Sequence, residues 1–389
     1  MKKKATREQT RAQNRQLVLK TIYDQGKISR AQIARLTRLA RPTVSDVVAE
    51  LIEQGLVVEL GYAPSTGGKR PMLLKVDADA LHMIAVDLSR SDFRGVVMDL
   101  RGEVKHRERR PWRRGAQRSA LELVYDVLDA LVAATDRPLL GISLGAPGLI
   151  DAVDGVVVQA VNMDWSDLPI RRLLEARYGV PVYVANDCQV AALGEYTFGN
   201  ADQVRDLVVI SGGWGIGCGM VLDGRLHHGN PMGAGEIGHV RVAENGRRCS
   251  CGNTGCLETV AGTYGIVEQV RALKNEREGL DLTEIGFDAV LEMYEAGDEA
   301  VREVVLAAGR GLGVVASHLA VILGGCDIRL AGQLAALGPA VLDAMREEIS
   351  SRALTELSRR TRVASATLGD DIVLLGASAL LLRHELGVL

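Results

Sequence analysis

The chain has 389 residues, of which 47% are hydrophobic and 24% charged, and its formal net charge is −3. A chain of this size can bury a large core and is expected to divide into roughly two or three domains. No apolar run reaches the roughly 20 residues of a membrane span, since Ser317 and His318 interrupt the stretch VVASHLAVILGG. The basic N-terminus lacks the apolar core of a secretory signal, so we expect a cytoplasmic protein without a membrane contact.

Positive charge is concentrated near the N-terminus. Residues 1–75 contain fifteen Lys or Arg and six Asp or Glu, so the remaining residues carry a net negative charge. Such a segment either contacts phosphates or is a solvated basic tail, and charge alone does not distinguish these two interpretations.

Three short helices with helix-turn-helix spacing are predicted in this basic segment. The first ends at Gly26, the second begins with a capping box formed by Ser29 and Gln32, and the third begins at Pro42 and ends at Gly55. Each has an apolar face at helical spacing. The residues predicted to face inward are Leu17, Val18, Ile22 and Tyr23, then Ile33 and Leu36, then Val44, Val47, Val48, Leu51 and Ile52.

The following segment, LVVELGYAPSTGGKRPMLLKV, predicts a two-stranded hairpin with a basic tip at residues 67–70. Three helices followed by such a wing form a winged helix-turn-helix, which places its third helix in the major groove and its wing on the backbone. A basic protein-interaction domain is the alternative. Helix spacing, wing and charge together favour double-stranded DNA. The predicted DNA contacts are Arg41, Thr43, Ser45, Asp46, Lys69 and Arg70.

Beyond a predicted boundary between residues 78 and 79, strands alternate with amphipathic helices, which indicates an α/β protein. A strand, turn and strand follow each other after Asp87 and again after Ser211, so the same unit is expected twice, as two lobes of a domain covering residues 79–389. The predicted strands are Met83–Asp87, Gly95–Leu100, Leu139–Leu144, Val180–Val184, Leu207–Ser211 and Cys218–Leu222.

Six cysteines are present, and three of them lie within eight positions in CSCGNTGCLE. In a reducing compartment such a cluster binds metal more often than it forms disulfides. A redox site, a catalytic metal and a structural clip are the alternatives for the cluster. The isolated cysteines are predicted to be core residues: Cys188, Cys218 and Cys326.

Several motifs together resemble the ROK family of sugar kinases and sugar-responsive repressors, which have an actin-like two-lobed fold. They are GISLGAPGLID, NMDWSDLPIRRLLEARYGVPVYVANDCQVAALGE, SGGWGIGCGMVLDGRLHHG, AGEIGHV and CSCGNTGCLE, in the family's order and spacing. The resemblance covers the chain from about residue 80 onward, and the C-x-C-x₄-C-x-E stretch is highly specific. A helix-turn-helix in front is the arrangement of the family's repressors.

The resemblance implies one structural Zn²⁺ per chain in a knuckle at residues 239–258. Zinc favours four tetrahedral nitrogen or sulfur ligands, and a closed structural site takes all four from protein. Gly252 and Gly255 would permit the sharp turns of the knuckle. The implied ligands are His239, Cys249, Cys251 and Cys256.

A sugar site is expected beside the metal. The second ring nitrogen of His239 is free to hydrogen-bond a sugar hydroxyl, and two carboxylates flank the knuckle. The resemblance adds two asparagines and an aspartate, although an asparagine followed by an aspartate is also typical of a turn or helix cap. The predicted sugar-binding residues are Asn162, Asn186, Asp187, Glu236, His239 and Glu258.

The phosphate-binding segments decide between an enzyme and a sensor. The family's kinases carry D-x-G-G-T where this chain has Asp87-Leu88-Ser89-Arg90-Ser91, and Trp214 is bulky for the second phosphate loop. We therefore expect a repressor without enzymatic activity that binds a monosaccharide or its phosphate. It is expected to act as a homodimer or homotetramer on a palindromic operator. An ATP-dependent hexose kinase with a fused DNA-binding domain, using Asp187 as its base, is the alternative, and a regulator controlled by another protein is the third possibility.

Overall fold

The computed structural model describes residues 6–62, 70–89, 92–112, 118–199, 204–229, 233–278 and 285–389. The chain forms two compact units. The first comprises Met1–Ala146, Ala152–Val184 and Ala377–Leu389, and the second comprises Pro147–Asp151 and Ala185–Gly376.

The first unit begins with the predicted winged helix-turn-helix. Ser29 Oγ accepts a hydrogen bond from the backbone N–H of Gln32, and Gln32 Oε1 accepts one from the backbone N–H of Ser29. These two hydrogen bonds confirm the capping box. Gly26 adopts a φ of 67° and ends the first helix, as predicted. The helices are α1 (Arg7–Gln25), α2 (Arg30–Thr37) and α3 (Arg41–Glu53), and the strands β1 (Ile28–Ser29), β2 (Val57–Tyr62) and β3 (Met72–Val76) form an antiparallel sheet in the order β1-β3-β2.

Two of the residues predicted to face inward do not. Leu17 and Leu36 are 42% and 53% exposed, so these two predictions are wrong. Leu19 is buried in place of Leu17. Helical spacing marks several overlapping apolar faces, and the position of the neighbouring helices decides which one is covered.

The first unit also contains a five-stranded mixed sheet with the order β11-β7-β4-β5-β6. The α4 helix (Ala120–Ala133) packs against β5 and β6, as its apolar stripe predicts. The strands of this sheet are β4 (His82–Asp87), β5 (Asp92–Met98), β6 (Val104–Pro111), β7 (Leu139–Ala146) and β11 (Val182–Asn186). Outside this sheet, the first unit also contains β9 (Val156–Ala160), β10 (Trp165–Leu168) and α5 (Ile170–Tyr178), whereas the short β8 (Leu149–Asp151) belongs to the second unit.

The sheet of the second unit repeats this order, as the duplicated strand-turn-strand pattern predicts. Its strands run β14-β13-β12-β15-β16, so in both sheets the first strand lies between the second and the fourth. The strands are β12 (Leu207–Gly212), β13 (Ile216–Leu222), β14 (Arg225–Leu226), β15 (Asp327–Gly332) and β16 (Arg362–Ser365). The helices are α6 (Asp187–Phe198), α7 (Leu257–Ala261), α8 (Thr263–Glu278), α9 (Phe287–Glu295), α10 (Glu299–Leu323), α11 (Pro339–Arg352), α12 (Thr355–Arg360) and α13 (Ile372–Leu381).

By length and composition α10 could cross a membrane, but 56% of its most apolar window is buried within the protein. It packs closely on α11. The two helices are so near each other that a Cβ added at Gly313 would lie 2.9 Å from Met345 Cα. Its apolar face therefore belongs to the core of the second unit.

The winged helix-turn-helix is anchored to the rest of the first unit through α1. The Tyr23 hydroxyl donates a hydrogen bond to the Leu100 carbonyl at 2.9 Å, and burial raises the pKa of Tyr23. The Arg101 guanidinium lies 4.1 Å from the centre of the Tyr23 ring. Lys20 Nζ donates to the carbonyl of Val388 at 2.8 Å, so the C-terminal segment contacts the same helix.

Tyr23→Phe removes the hydroxyl and leaves the Leu100 carbonyl without this donor. We expect the free energy of unfolding to fall by about 1–2 kcal/mol, the usual effect of deleting one partner of a buried hydrogen bond. Urea denaturation followed by circular dichroism measures the change. Tyr62→Phe is the matched control, because Tyr62 is 67% exposed, and an equal effect of both substitutions would contradict the anchoring role of Tyr23.

Candidate DNA-binding and ligand-binding sites

The predicted DNA contacts of α3 lie on its outer face. Arg41, Ser45 and Asp46 are exposed and Thr43 is half-buried, while the opposite face of the helix is buried in the three-helix core. Arg70 is exposed at the start of the segment that leads into β3. The remaining residues of the predicted wing tip, Gly67, Gly68 and Lys69, lie outside the described residues.

Two further arginines lie just before α3 and are not among the predicted DNA contacts. Arg35 lies in the last turn of α2, and Arg38 ends that helix with a φ of 58°. Within the described parts of the chain, neither of them, nor Arg41, forms an ion pair, whereas Arg11 and Arg30 pair with Glu50 and Glu59. Their position just before the predicted recognition helix is the signal in the sequence that could have identified them as candidate DNA contacts.

The three clustered cysteines and His239 come together, and their four ligand atoms all lie within 4.8 Å of one another. Cys251 Sγ is 3.7 Å from Cys256 Sγ, and Cys249 Sγ is 3.6 Å from His239 Nδ1. A tetrahedral zinc site with Zn–S bonds of about 2.3 Å has sulfur–sulfur edges of about 3.8 Å. The spacing therefore fits such a metal ion, and it is far too long for a disulfide bond.

Tight turns close the knuckle, as the glycines predict. The amide of Cys249 donates to the Asn253 carbonyl at 2.8 Å, and the Gly252 amide donates to the Cys249 carbonyl at 3.0 Å. Gly255 has a φ of 72°, and a Cβ there would lie 1.8 Å from the Ala243 carbonyl oxygen. Only glycine fits this position, because any side chain would meet the facing backbone.

The three thiols differ in acidity. A hydrogen bond from the Asn253 backbone lowers the pKa of Cys251 to about 7, so this exposed thiol ionises most readily. Burial raises the pKa of Cys256. Burial, together with a hydrogen bond to Glu258, raises the pKa of Cys249 to about 12. A metal ion that binds here must therefore displace thiol protons.

The two predicted carboxylates flank His239 on opposite ring nitrogens. Glu258 Oε1 lies 3.7 Å from His239 Nδ1 and accepts a hydrogen bond from Cys249 Sγ at 2.9 Å. Glu236 Oε2 lies 3.9 Å from His239 Nε2, and partial burial raises the pKa of Glu236. His239 thus directs Nδ1 toward the sulfurs and Nε2 toward Glu236, and the hydrogen bond of its second nitrogen to a sugar hydroxyl stays a prediction.

Asn186 is the N-cap of α6. Its Oδ1 accepts from the amides of Cys188 and Gln189 at 3.0 and 3.2 Å, and its Nδ2 donates to the Gly148 carbonyl at 3.1 Å. Asp187 is the first helical residue. The side-chain oxygen and nitrogen of Asn186 are thus both engaged in hydrogen bonds that position the start of α6.

The start of α6 lies against β13. A Cβ at Gly217 would be 2.7 Å from Cys188 Sγ and 3.7 Å from the carbonyl oxygen of Gly235, the residue before Glu236. Burial is the main cause that raises the pKa of Cys188, and the negative charges of Asp187 and Glu236 raise it further. The start of α6, with Asn186 and Asp187, therefore lies near the segment that leads to Glu236.

Asn162 belongs to the first unit, where it is exposed on a one-turn 3₁₀ helix, Val161–Met163. An additional polar residue near the start of α6 is His228, whose Nδ1 lies 3.0 Å from Gln189 Oε1. Two of the isolated cysteines, Cys218 and Cys326, are buried core residues as predicted, whereas Cys188 is half-buried.

The segment from Asp87 to Ser91, where the family resemblance predicts an altered phosphate loop, begins with a fully buried carboxylate. Asp87 accepts hydrogen bonds from the Ser89 amide at 2.8 Å and from the Ser89 hydroxyl, and it pairs with Arg94. Arg90 and Ser91 lie outside the described residues. Asp87 is therefore neutralised by an arginine of its own sheet.

A winged helix-turn-helix joined to two α/β units of repeated topology defines a DNA-binding unit fused to an actin-like sugar kinase fold. The chain belongs to the ROK family, whose model matches residues 83–384. A MarR family model matches residues 17–70, which contain the last part of α1, all of α2 and α3, and β2.

Relatives match over nearly the whole chain. The chain is 32% identical over 385 residues to the xylose repressor of Caldicellulosiruptor bescii, covering 96% of each protein. A crystal structure described as a ROK family transcriptional regulator, homologue of the Escherichia coli MLC protein, aligns with a TM-score of 0.85 and 26% identity over 97% of this chain and 98% of that one. The structure of a ROK family glucokinase from Streptomyces griseus, in complex with glucose and AMPPNP, aligns with a TM-score of 0.67 and 27% identity over 77% of this chain and 98% of the kinase.

Proposed function

We propose that this protein is a cytoplasmic transcriptional repressor whose affinity for its operator changes when it binds a sugar. The observation that carries this proposal is that one chain joins a winged helix-turn-helix, whose helix α3 has an exposed polar face, to a sugar kinase fold through the hydrogen bond of Tyr23 on α1. A relative that aligns with this chain over 96% of each protein is a xylose repressor. DNA binding and sugar binding then reside in one polypeptide.

The DNA contacts in this proposal come from the face of α3 and the wing. Arg41, Thr43, Ser45 and Asp46 would reach base edges, while Lys69 and Arg70 would follow the backbone. A homodimer or homotetramer would present two such helices to the half-sites of a palindromic operator. Sugar and operator must then weaken each other's binding by the same factor, because coupling between two sites is reciprocal.

The sugar ring would be held by the polar surface around His239. Carboxylates and a histidine nitrogen supply the acceptors that the hydroxyls of an uncharged sugar require. Asn186 would orient Asp187 through the cap of α6. The carboxylate of Asp187 serves in this proposal as a hydrogen-bond acceptor.

The metal in this proposal is a single structural Zn²⁺ held by His239, Cys249, Cys251 and Cys256, whose spacing fits a closed tetrahedral site. The bound ion would replace the thiol protons, fix the knuckle and leave Glu258 without its Cys249 donor. Glu258 is then available to accept a hydrogen bond from the sugar.

The proposal includes no enzymatic activity. Phosphoryl transfer needs an open glycine-rich loop and a carboxylate that can hold Mg²⁺. Asp87 is fully buried and paired with Arg94, and glycines are absent from the Asp87–Ser91 segment. The kinase alternative is supported by the fold that this chain shares with the glucokinase.

Fluorescence anisotropy on DNA from upstream of the protein's own gene tests the proposal. We expect tight binding to this DNA, with an affinity that changes at least about tenfold in the presence of one sugar. The titrations use free and phosphorylated glucose, xylose and N-acetylglucosamine. Arg41→Ala should weaken DNA binding about tenfold, whereas Arg359→Ala, on an exposed part of α12, should not.

DNA binding that ignores every sugar would contradict the sugar-responsive function and favour control by a protein partner. If Arg41→Ala and Arg359→Ala reduced the affinity for DNA equally, the assignment of α3 as the recognition helix would be contradicted.

Cys251→Ala removes one of the four proposed zinc ligands. We expect the variant to lose its metal, measured by mass spectrometry of the purified protein, and most of its response to sugar, because the knuckle that orients Glu258 is no longer fixed. Cys326→Ala is the control, since Cys326 is a buried cysteine of the second core. One zinc per chain and a normal response in Cys251→Ala would refute the ligand set.

Incubation with ATP and the same free sugars tests the kinase alternative. We expect no sustained ATP consumption, because Asp87 is not available to a metal ion. A coupled assay of ADP release makes the measurement, with Asp187→Asn as the control for the proposed base. Turnover that disappears in Asp187→Asn would establish the kinase and overturn the proposal.

A further inference from the structure

Two aromatic rings project from the second unit beside the proposed sugar site. Trp214, in the turn between β12 and β13, is 69% exposed, and Tyr264, in the first turn of α8, is 48% exposed. Their ring centres are 4.8 Å apart with an angle of 32° between the planes. Neither ring is covered by the core, although aromatic residues are only 4% of the chain. An exposed aromatic pair in a protein with so few aromatic residues marks a binding surface.

The backbone holds the two rings in place. The Thr263 amide donates to the Gly213 carbonyl at 2.9 Å, which ties the segment before Tyr264 to the turn that carries Trp214. A Cβ at Gly262 would lie 2.9 Å from the Trp214 carbonyl oxygen, so the two segments are in close contact. The rings are thus presented on a fixed support, and little conformational freedom is lost when a ligand stacks on them.

The aromatic pair is continuous with the proposed sugar site. A Cβ at Gly215, the residue after Trp214, would lie 3.6 Å from Glu258 Oε2. Glu258 also lies beside His239. One rim of the second unit therefore carries two hydrogen-bond acceptors followed directly by two aromatic rings.

Charge and size limit what can occupy this rim. The carboxylates of Glu258 and Glu236 would repel a phosphate group, which disfavours a nucleotide or a sugar phosphate across the pair. Two rings cover far less area than a stable protein interface requires. The C–H face of a pyranose is apolar and slightly positive, and it fits the negative face of an aromatic ring.

We propose that the Trp214–Tyr264 pair binds the second ring of a neutral disaccharide or longer oligosaccharide whose first ring lies at Glu236, His239 and Glu258. This inference rests on the proposed sugar site and extends it. The effector that controls DNA binding is then an unphosphorylated oligosaccharide, and the single sugar is a weaker ligand of the same site.

Calorimetric titration of the full chain with matched pairs of sugars tests this proposal. The pairs are xylose and xylobiose, glucose with cellobiose and maltose, and N-acetylglucosamine with diacetylchitobiose. For one pair we expect the disaccharide to bind about tenfold more tightly than the monosaccharide. Trp214→Ala should abolish most of this difference and change monosaccharide affinity by less than about twofold. Trp214→Phe retains a ring and should preserve part of the gain.

Tryptophan fluorescence gives an independent readout. Trp165 is buried and Trp112 is half-buried, so the disaccharide should quench or blue-shift mainly the emission of Trp214. The change should be absent in Trp214→Phe. The same emission should not respond to ATP, and an ATP response lost in Trp214→Phe would overturn the proposal in favour of nucleotide stacking.

The remaining outcomes separate this inference from the proposed function. Monosaccharide binding without any Trp214-dependent gain from a second ring would overturn the inference and leave the sugar-responsive repressor intact. Wild-type protein that binds neither monosaccharides nor disaccharides would overturn both.

Discussion

The crowding of three thiols and an imidazole nitrogen within 4.8 Å is the constraint around which the ligand-binding surface is built. Cys256 is also the N-cap of α7, so the knuckle fixes the helix that carries Glu258. His239 ends the turn that Glu236 begins. Buried thiols bring little polar stabilisation of their own, whereas a cation held by all four groups stabilises the folded knuckle directly. In the proposed function, metal binding and sugar recognition therefore depend on the same short segment.

The path of the chain connects that segment to the DNA-binding helices. The chain leaves the first unit at Val184, forms most of the second unit, and returns at Ala377. Its last residues then contact α1 through Lys20 and Val388, on the helix that Tyr23 anchors to Leu100. The helix-turn-helix is thus linked to both ends of the α/β region. The chain itself joins it to the start of that region, and the hydrogen bond from Lys20 to Val388 joins it to the last residues. This arrangement suits a regulator better than a flexibly tethered DNA-binding head would.

A catalytic scaffold becomes a sensor in the proposed function through local changes in charge and shape. Asp87 lies at the end of β4 and is paired with Arg94 of the neighbouring strand, so in the proposed function this carboxylate does not hold a metal ion. Trp214 lies in the turn that follows β12, and in the proposed function its bulk would exclude a phosphate group there. The acceptors around His239 are unaffected by either change. Recognition of hydroxyl groups and phosphoryl transfer are therefore separable on this fold.

Local pattern and spacing predict most of the architecture: the three helices and their caps, six strands of the two sheets, and the His239 and cysteine cluster. These features depend on residues close in sequence or on a closely spaced motif. The exposure of Leu17 and Leu36, the pairing of Asp87 with Arg94, and the meeting of Trp214 with Tyr264 depend on which elements become neighbours. The sequence by itself thus determined the elements, the clustering of His239 with the three cysteines, and the family. Only the tertiary structure decided which faces are covered and which distant side chains meet, because burial and contact are properties of packed neighbours.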